Sequence, residues 1–243
     1  MGEAQAGPVR RSVRNVQSNG PCLTTTATIE GNGTVAHSRL LVMGEDVDHL
    51  MDPYCEHDPD AIRQRWDYYE IGGRFDTALL KRSGERVSRA RVREVDMDGM
   101  RERAAAVAET TWTDYQRVLD EHGPAKSWSA CLEAAGGDQS HARQRYHEQP
   151  TIRHLWQVLP WGISPDTFFE GGHEAFVHRA RLAAVPGPHM LTPQDGWIEA
   201  GRIDLWGGSN ATGQSRHAYL LRANARLDEA SGAELLTVVD YHT

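Results

Sequence analysis

The chain reads as an α+β protein in which N- and C-terminal strands share one mixed or antiparallel sheet around a central helical insertion. Three observations support this. Apolar, strand-like segments stand at Val35–Met43 and Leu235–Tyr241, near the two ends of the chain. Between about 98 and 184 the apolar spacing changes to the three- and four-residue recurrence of helices. A block of strands followed by helices and then strands again is the pattern of segregated α+β architecture rather than alternating βαβ units. We therefore divide the chain into an arm over 1–33 and a single domain over 34–243 with the insertion inside it.

Residues 1–33 are rich in Gly, Ser, Thr, Asn and Arg and show little apolar periodicity, apart from a threonine-rich segment, Cys22–Ile29, that suits a short strand. Val35–Met43 is a strand that Gly44 ends. Asp46–Tyr54 follows as a short helix, with Asp46 as its cap and Val47, Leu50 and Met51 on one side. Trp66–Ile71 suits a strand by its aromatic content, Gly72-Gly73 a turn or bulge, and Thr77–Leu80 its hairpin partner. From Asp98 to Glu121, residues Met100, Ala104, Val107, Ala108, Thr111, Tyr115 and Val118 recur at helical spacing, and His122-Gly123-Pro124 stops the helix. Further helices are expected over Ser127–Ala135, Ser140–Val158 with a break near Pro150, Glu174–Ala184 and His217–Ala230. Pro165–Gly172 is a turn or short helix. The last quarter returns to strands at Met190-Leu191, Trp197–Trp206 and Leu235–Tyr241.

Composition narrows the function classes. A hydrophobic share of 39% and a charged share of 25% suit a soluble globular chain, and no apolar run approaches the roughly 20 residues of a membrane span. The N-terminus lacks the apolar core of a secretory signal, so a cytoplasmic protein is expected. Cys22, Cys55 and Cys131 are odd in number and form no CxxC pair, which suggests neither a disulfide framework nor a thiolate zinc site. A formal charge of −8 makes nucleic acid an unlikely partner, although Arg10, Arg11 and Arg14 and the basic stretch Lys81–Arg93 are local exceptions. Both stretches read as solvated faces that could touch phosphate locally.

The segment Trp66-Asp67-Tyr68-Tyr69-Glu70-Ile71-Gly72-Gly73-Arg74-Phe75 concentrates four aromatic residues in a chain only 7% aromatic. Arg74 could clamp a phosphate or carboxylate through its fork, with glycine amides as further donors, or form an ion pair with Asp67 or Glu70 that fixes the turn. The aromatic rings suit core packing as well as a ligand wall. Asp204-Leu205-Trp206-Gly207-Gly208 repeats the combination of acid, ring and open backbone, so the two turns are expected to be two walls of one pocket. Its expected occupant is a small polar or nucleotide-like ligand, bound by Trp66, Asp67, Tyr69, Gly72, Gly73, Arg74, Asp204 and Trp206. Neither turn is a phosphate-binding P-loop or a dinucleotide fingerprint, and no nucleophile elbow is present.

Asp240 and His242 are the expected catalytic pair. Residues two apart on a strand face the same way, so the carboxylate and imidazole can share a site. His57, His173, His178 and His242 are the candidate ligands of a divalent transition metal. His173 and His178 are five apart, which places them on different helix faces, unlike the pair in HExxH.

Three segments together resemble an uncharacterised family of actinobacteria and their phages with the pattern Trp-Asp-(Trp/Tyr)-Tyr-x-Ile-Gly-Gly-Arg-(Trp/Phe). They are Leu50–His57, Trp66–Phe75 and the C-terminal block running through Val177–Ala184, Leu191-Thr192-Pro193, Asp195-Gly196-Trp197, Ile203–Gly207 and Leu236–His242. The chain departs from the family in lacking a CxxC insertion before the tryptophan motif. Tyr68 and Phe75 replace the usual tryptophans, Leu205 stands where tryptophan or phenylalanine is usual, and Tyr241 where cysteine is common. The resemblance implies no established activity. It leaves open a phage- or host-directed interaction module with a protein partner, and a metal-dependent hydrolase using Asp240 and His242.

Overall fold

The computed structural model describes residues 37–159, 163–201 and 211–242. Its fold is α+β, with a mixed sheet built from both ends of the chain and a helical region between them. Strand β1 (His37–Met43) ends at Gly44, whose φ of 142° ends the regular extension. Asp46 then caps α1 (Val47–Met51) by accepting from the His49 amide at 3.0 Å, and a 3-10 turn (Asp52–Tyr54) follows with Pro53 in its first turn.

Strand β2 (Tyr68–Ile71) is shorter than expected, because Trp66 makes only an isolated bridge to Cys55. Gly72 and Gly73, at φ 79° and 49°, turn the chain into a 3-10 turn (Gly73–Phe75). That turn separates β2 from the next segment, and the expected hairpin does not form. Instead β3 (Leu79–Leu80) pairs with β4 (Arg86–Val87), and β5 (Arg89–Arg91) joins the main sheet. The basic stretch thus contains two short strands, set by pairing with partners rather than by side-chain alternation. Its cations are partly compensated, Lys81 by Glu85 at 2.8 Å and Arg91 by Glu45.

A long helix, α2 (Met97–His122), is capped by Asp96, whose carboxylate accepts from the Gly99 amide at 3.1 Å, and ends at Gly123 with φ 81°. Its buried face comprises Ala105, Ala108, Thr111, Tyr115 and Val118, whereas Val107 is 58% exposed. Ser127 caps α3 (Trp128–Ala134) and Asp138 caps α4 (Gln139–Glu148). The break near Pro150 is real: Gln149 is extended, and Pro150 occupies the first turn of α5 (Pro150–Val158). A 3-10 turn (Pro165–Phe169) leads to α6 (Gly172–Ala183), then β6 (His189–Thr192) and β7 (Gly196–Glu199). Helix α7 (Gly213–Glu229) starts four residues before the expected position, because Thr212 and Ser215 form a reciprocal capping box. Strand β8 (Leu235–His242) ends the described chain. The expected strand at Cys22–Ile29 lies outside the described residues, as does most of the second half of Trp197–Trp206.

Strand order is β2-β8-β1-β6-β7, with β5 also on β8; only β1–β6 is parallel. The last strand is therefore central and buried on both faces. Leu236 and Val238 face a core shared with α7, while Val239 and Tyr241 face a second core with α1 and Trp66. The insertion has its own core around Tyr115, Ile152, Leu155 and Phe168. Cys55 is fully buried and disulfide-bonded, although the cysteine pattern suggested no disulfide framework; Cys131 is free. No helix among the described residues is long and apolar enough to cross a membrane.

Leu236→Ala tests the importance of the central strand. Leu236 is fully buried, so truncation is expected to cost about 2–5 kcal/mol. Urea unfolding should show a lower midpoint, and an unchanged midpoint would contradict this placement.

Candidate functional site

The end of the sheet where β1 begins and β8 finishes gathers the polar residues. Register pairs His37 with His242 and His242 with Tyr68, which sets these three side chains in a row across β1, β8 and β2. One step inward, Arg39, Asp240 and Glu70 form a second row. Since residues two apart on a strand share a face, both rows look the same way.

Two imidazole–carboxylate pairs result. His37 Nδ1 lies 2.8 Å from Asp240 Oδ1, and the other oxygen, Oδ2, accepts from the Arg74 amide at 3.0 Å. His242 Nδ1 lies 2.5 Å from Asp67 Oδ1. That second contact is off the line of a hydrogen bond, and neither atom has another hydrogen-bond partner. It is an ion-pair contact by distance rather than a hydrogen bond. The His37 and His242 rings are 5.2 Å apart, and the Tyr68 ring stacks on His242 at 5.1 Å. Asp240 is nearly buried, whereas His37, His242 and Asp67 keep side-chain exposures of 21%, 13% and 25%. A carboxylate on Nδ1 fixes the tautomer and orientation of the ring and leaves Nε2 available to a ligand.

The Gly-Gly turn seats this arrangement. A Cβ on Gly73 would lie 2.5 Å from Asp240 Cβ and 2.7 Å from its Oδ2, so the carboxylate reaches the Arg74 amide only past a glycine. Arg39 is enclosed beneath the same face. It donates to the Val185 carbonyl at 3.4 Å, and desolvation lowers its pKa from the usual arginine value.

The residues expected from the sequence divide accordingly. Asp240, His242, Asp67, Gly72, Gly73 and Arg74 come together. The Arg74 side chain is exposed and forms no ion pair with Asp67 or Glu70 among the described residues, so the ion-pair alternative is overturned. Trp66 is corrected from ligand wall to core: it is 3% exposed, donates from Nε1 to the Met51 carbonyl at 3.0 Å, and packs edge-on against Tyr69. Tyr69 bonds to Asp48, away from the paired histidines, and burial raises its pKa. Asp204 and Trp206 lie outside the described residues, so the second wall is not described.

The proposed metal ligands do not converge. His57 is exposed beside Glu56, His173 bonds to Glu109 at 2.6 Å, and His178 lies beside His217. They belong to the acidic loop and to α6, and among the described residues no group of three close donors includes any of them or His242. Among the described residues, the group of three such donors lying within 4.8 Å of one another is instead Glu121, His122 and His154, where the end of α2 meets α5. His37 was also not anticipated. Its signal was the alternation His37, Arg39, Leu41 along β1, but only the register shows its partner.

The opposite face of β8 carries a buried polar cluster. Tyr241 Oη lies 3.0 Å from His189 Nδ1, and Arg65 pairs with Glu199 at 2.5 Å beside Trp197. His189 is 3% exposed, and burial chiefly depresses its pKa to about 4, with Arg65 acting in the same direction. The unfolded chain takes up this proton near pH 6.5 and the folded chain only near 4. Stability contributed by neutral His189 is therefore complete above 6.5 and falls by about 3 kcal/mol as the pH drops through that window. His189→Gln keeps a polar partner for Tyr241 without a titrating ring and should flatten the dependence of Tm on pH between 4 and 6.5; an unaltered slope would assign it elsewhere.

Comparison with known protein families, curated proteins and solved structures gives no match, so these residues themselves carry the functional reading.

Proposed function

We propose that the His37–Asp240 and His242–Asp67 pairs form a general acid–base site for a small polar ligand bearing a phosphate or carboxylate, nucleotide-like compounds included. The observation that carries this reading is the side-by-side placement of two imidazoles, each with a carboxylate at Nδ1. One neutral imidazole accepts a proton from an attacking hydroxyl or water through Nε2. The other, protonated, delivers one to the leaving oxygen, and the carboxylates stabilise whichever ring is cationic. Ester or phosphoester transfer is the reaction class that uses such a pair. Exposed Arg74 supplies a cation beside the turn, and Tyr68, 40% exposed and stacked on His242, offers a plane to a ring-bearing ligand.

This reading moves the aromatic contact from Trp66 to Tyr68 and keeps Arg74 as the anion clamp. A metal-dependent hydrolase built on Asp240 and His242 receives less support, since both carboxylates are directed at imidazole nitrogens rather than at a common point. A panel of chromogenic phosphodiesters, phosphomonoesters and carboxylic esters tests the proposal. Turnover of at least one class is expected, with Arg74→Ala raising KM more than it lowers kcat. No turnover of any class, together with His37 and His242 ring resonances that inorganic phosphate leaves unmoved, would overturn it.

A further inference from the structure

A cavity of about 500 Å³ lies between α2, α6 and α7, a volume in the range of small-molecule sites. Its wall is made by small and apolar side chains, among them Ala104, Ala108, Ala180, Ala183, Phe176 and Leu220. Alanines on facing helices leave room that larger residues would fill. Val107, the one α2 residue whose helical position predicted burial but which is 58% exposed, also lines it. The exposure of Val107 is thus the open side of an apolar groove.

The polar groups of the cavity are unevenly charged. Arg103, Arg179 and Arg216 line it against one carboxylate, Glu170. Glu170 is already engaged: Arg216 Nη2 donates to it at 2.6 Å, and a Cβ on Gly213 would come within 2.9 Å of its carboxyl carbon, so α7 packs directly on it. Arg179 is held differently. Its two terminal nitrogens donate to backbone carbonyls, Glu170 O at 2.8 Å and Thr167 O at 2.9 Å. These bonds fix the guanidinium in place without neutralising it. Burial lowers its pKa, the Glu170 carboxylate opposes that shift in part, and Arg216 adds to it. A part-buried, oriented cation at an apolar cavity is stabilised by an anion with an apolar body.

We propose that this cavity binds an amphipathic carboxylate, an acyl chain of medium length whose tail lies along the alanine wall and whose head group meets Arg179. The site is separate from the paired histidines and does not depend on their chemistry. Calorimetric titration of the full chain with decanoate, below its micellar concentration, tests it, with decan-1-ol and decylammonium as matched neutral and cationic probes. Decanoate is expected to bind at least about tenfold more tightly than either, a difference of about 1.4 kcal/mol. Ala104→Phe, which fills the cavity, should abolish binding, and Arg103→Glu, an exposed charge reversal, should weaken it several-fold while circular dichroism stays unchanged. If Ala104→Phe fails to fold, Arg103→Glu and the three probes decide alone. Absence of decanoate binding at submillimolar concentration, equal binding of decylammonium, or binding undiminished in the folded variants would overturn the proposal.

Discussion

His37→Asn and His242→Asn are each expected to lower kcat by about 10²- to 10⁴-fold on any ester the protein turns over, the range typical of general acid–base groups. Asparagine retains a donor toward Asp240 or Asp67 but cannot exchange a proton, so the loss should fall on the chemical step rather than on folding. Both rings are partly exposed at the end of the sheet, and unfolding midpoints should move little. The double variant is the sharper measurement. If one ring removes a proton while the other delivers one, the two act as a unit, and the double variant should be scarcely slower than the worse single variant. Losses that multiply would assign the rings to independent roles. A single variant with an intact rate and an intact fold would remove that histidine from the mechanism.

The second large effect is expected at Gly73. Alanine there must adopt φ 49°, a left-handed conformation costing about 1–2 kcal/mol, and its Cβ would overlap Asp240 on a nearly buried strand. Relief requires moving either the central strand or the turn, and each movement separates Asp240 from the Arg74 amide and from His37. Tm is expected to fall by at least about 5 °C, since each kcal/mol shifts it by roughly 2–4 °C in a chain of this size. Gly84 provides the control. Its φ is 87°, yet nothing lies within 4 Å of the added methyl, so Gly84→Ala carries the backbone cost alone. The difference between the two variants isolates the contact with Asp240. Equal shifts, with activity preserved in Gly73→Ala, would show that the carboxylate does not depend on the turn.

These expectations rest on residues that were unequally legible. The Gly-Gly-Arg turn and the Asp240/His242 alternation are local patterns, and each defines a geometry within a few residues. Trp66 was not legible in this way. Its aromatic, glycine-flanked context is the same for a ligand wall and for a core anchor, and the choice was made by the carbonyl of Met51 fifteen positions earlier. His37 shows the converse. An isolated histidine at a strand start carries no signal until antiparallel register places His242 opposite it. The strands inside Lys81–Arg93 were hidden because their pairing comes from partners rather than from side-chain alternation.

Helices, caps and strand alternation are set by interactions between residues at most four apart, and a linear reading reaches that far. It was enough for the α+β order, the body of α2 over Asp98–Glu121 and its stop at Gly123, the break at Pro150 and the shared face of Asp240 and His242. Which carboxylate meets which imidazole, which aromatic ring stays exposed, and where facing alanines leave a cavity were decided by strand register and helix packing. Those depend on contacts between residues as much as 203 positions apart, such as His37 with Asp240, and they exist only once the chain has closed its sheet.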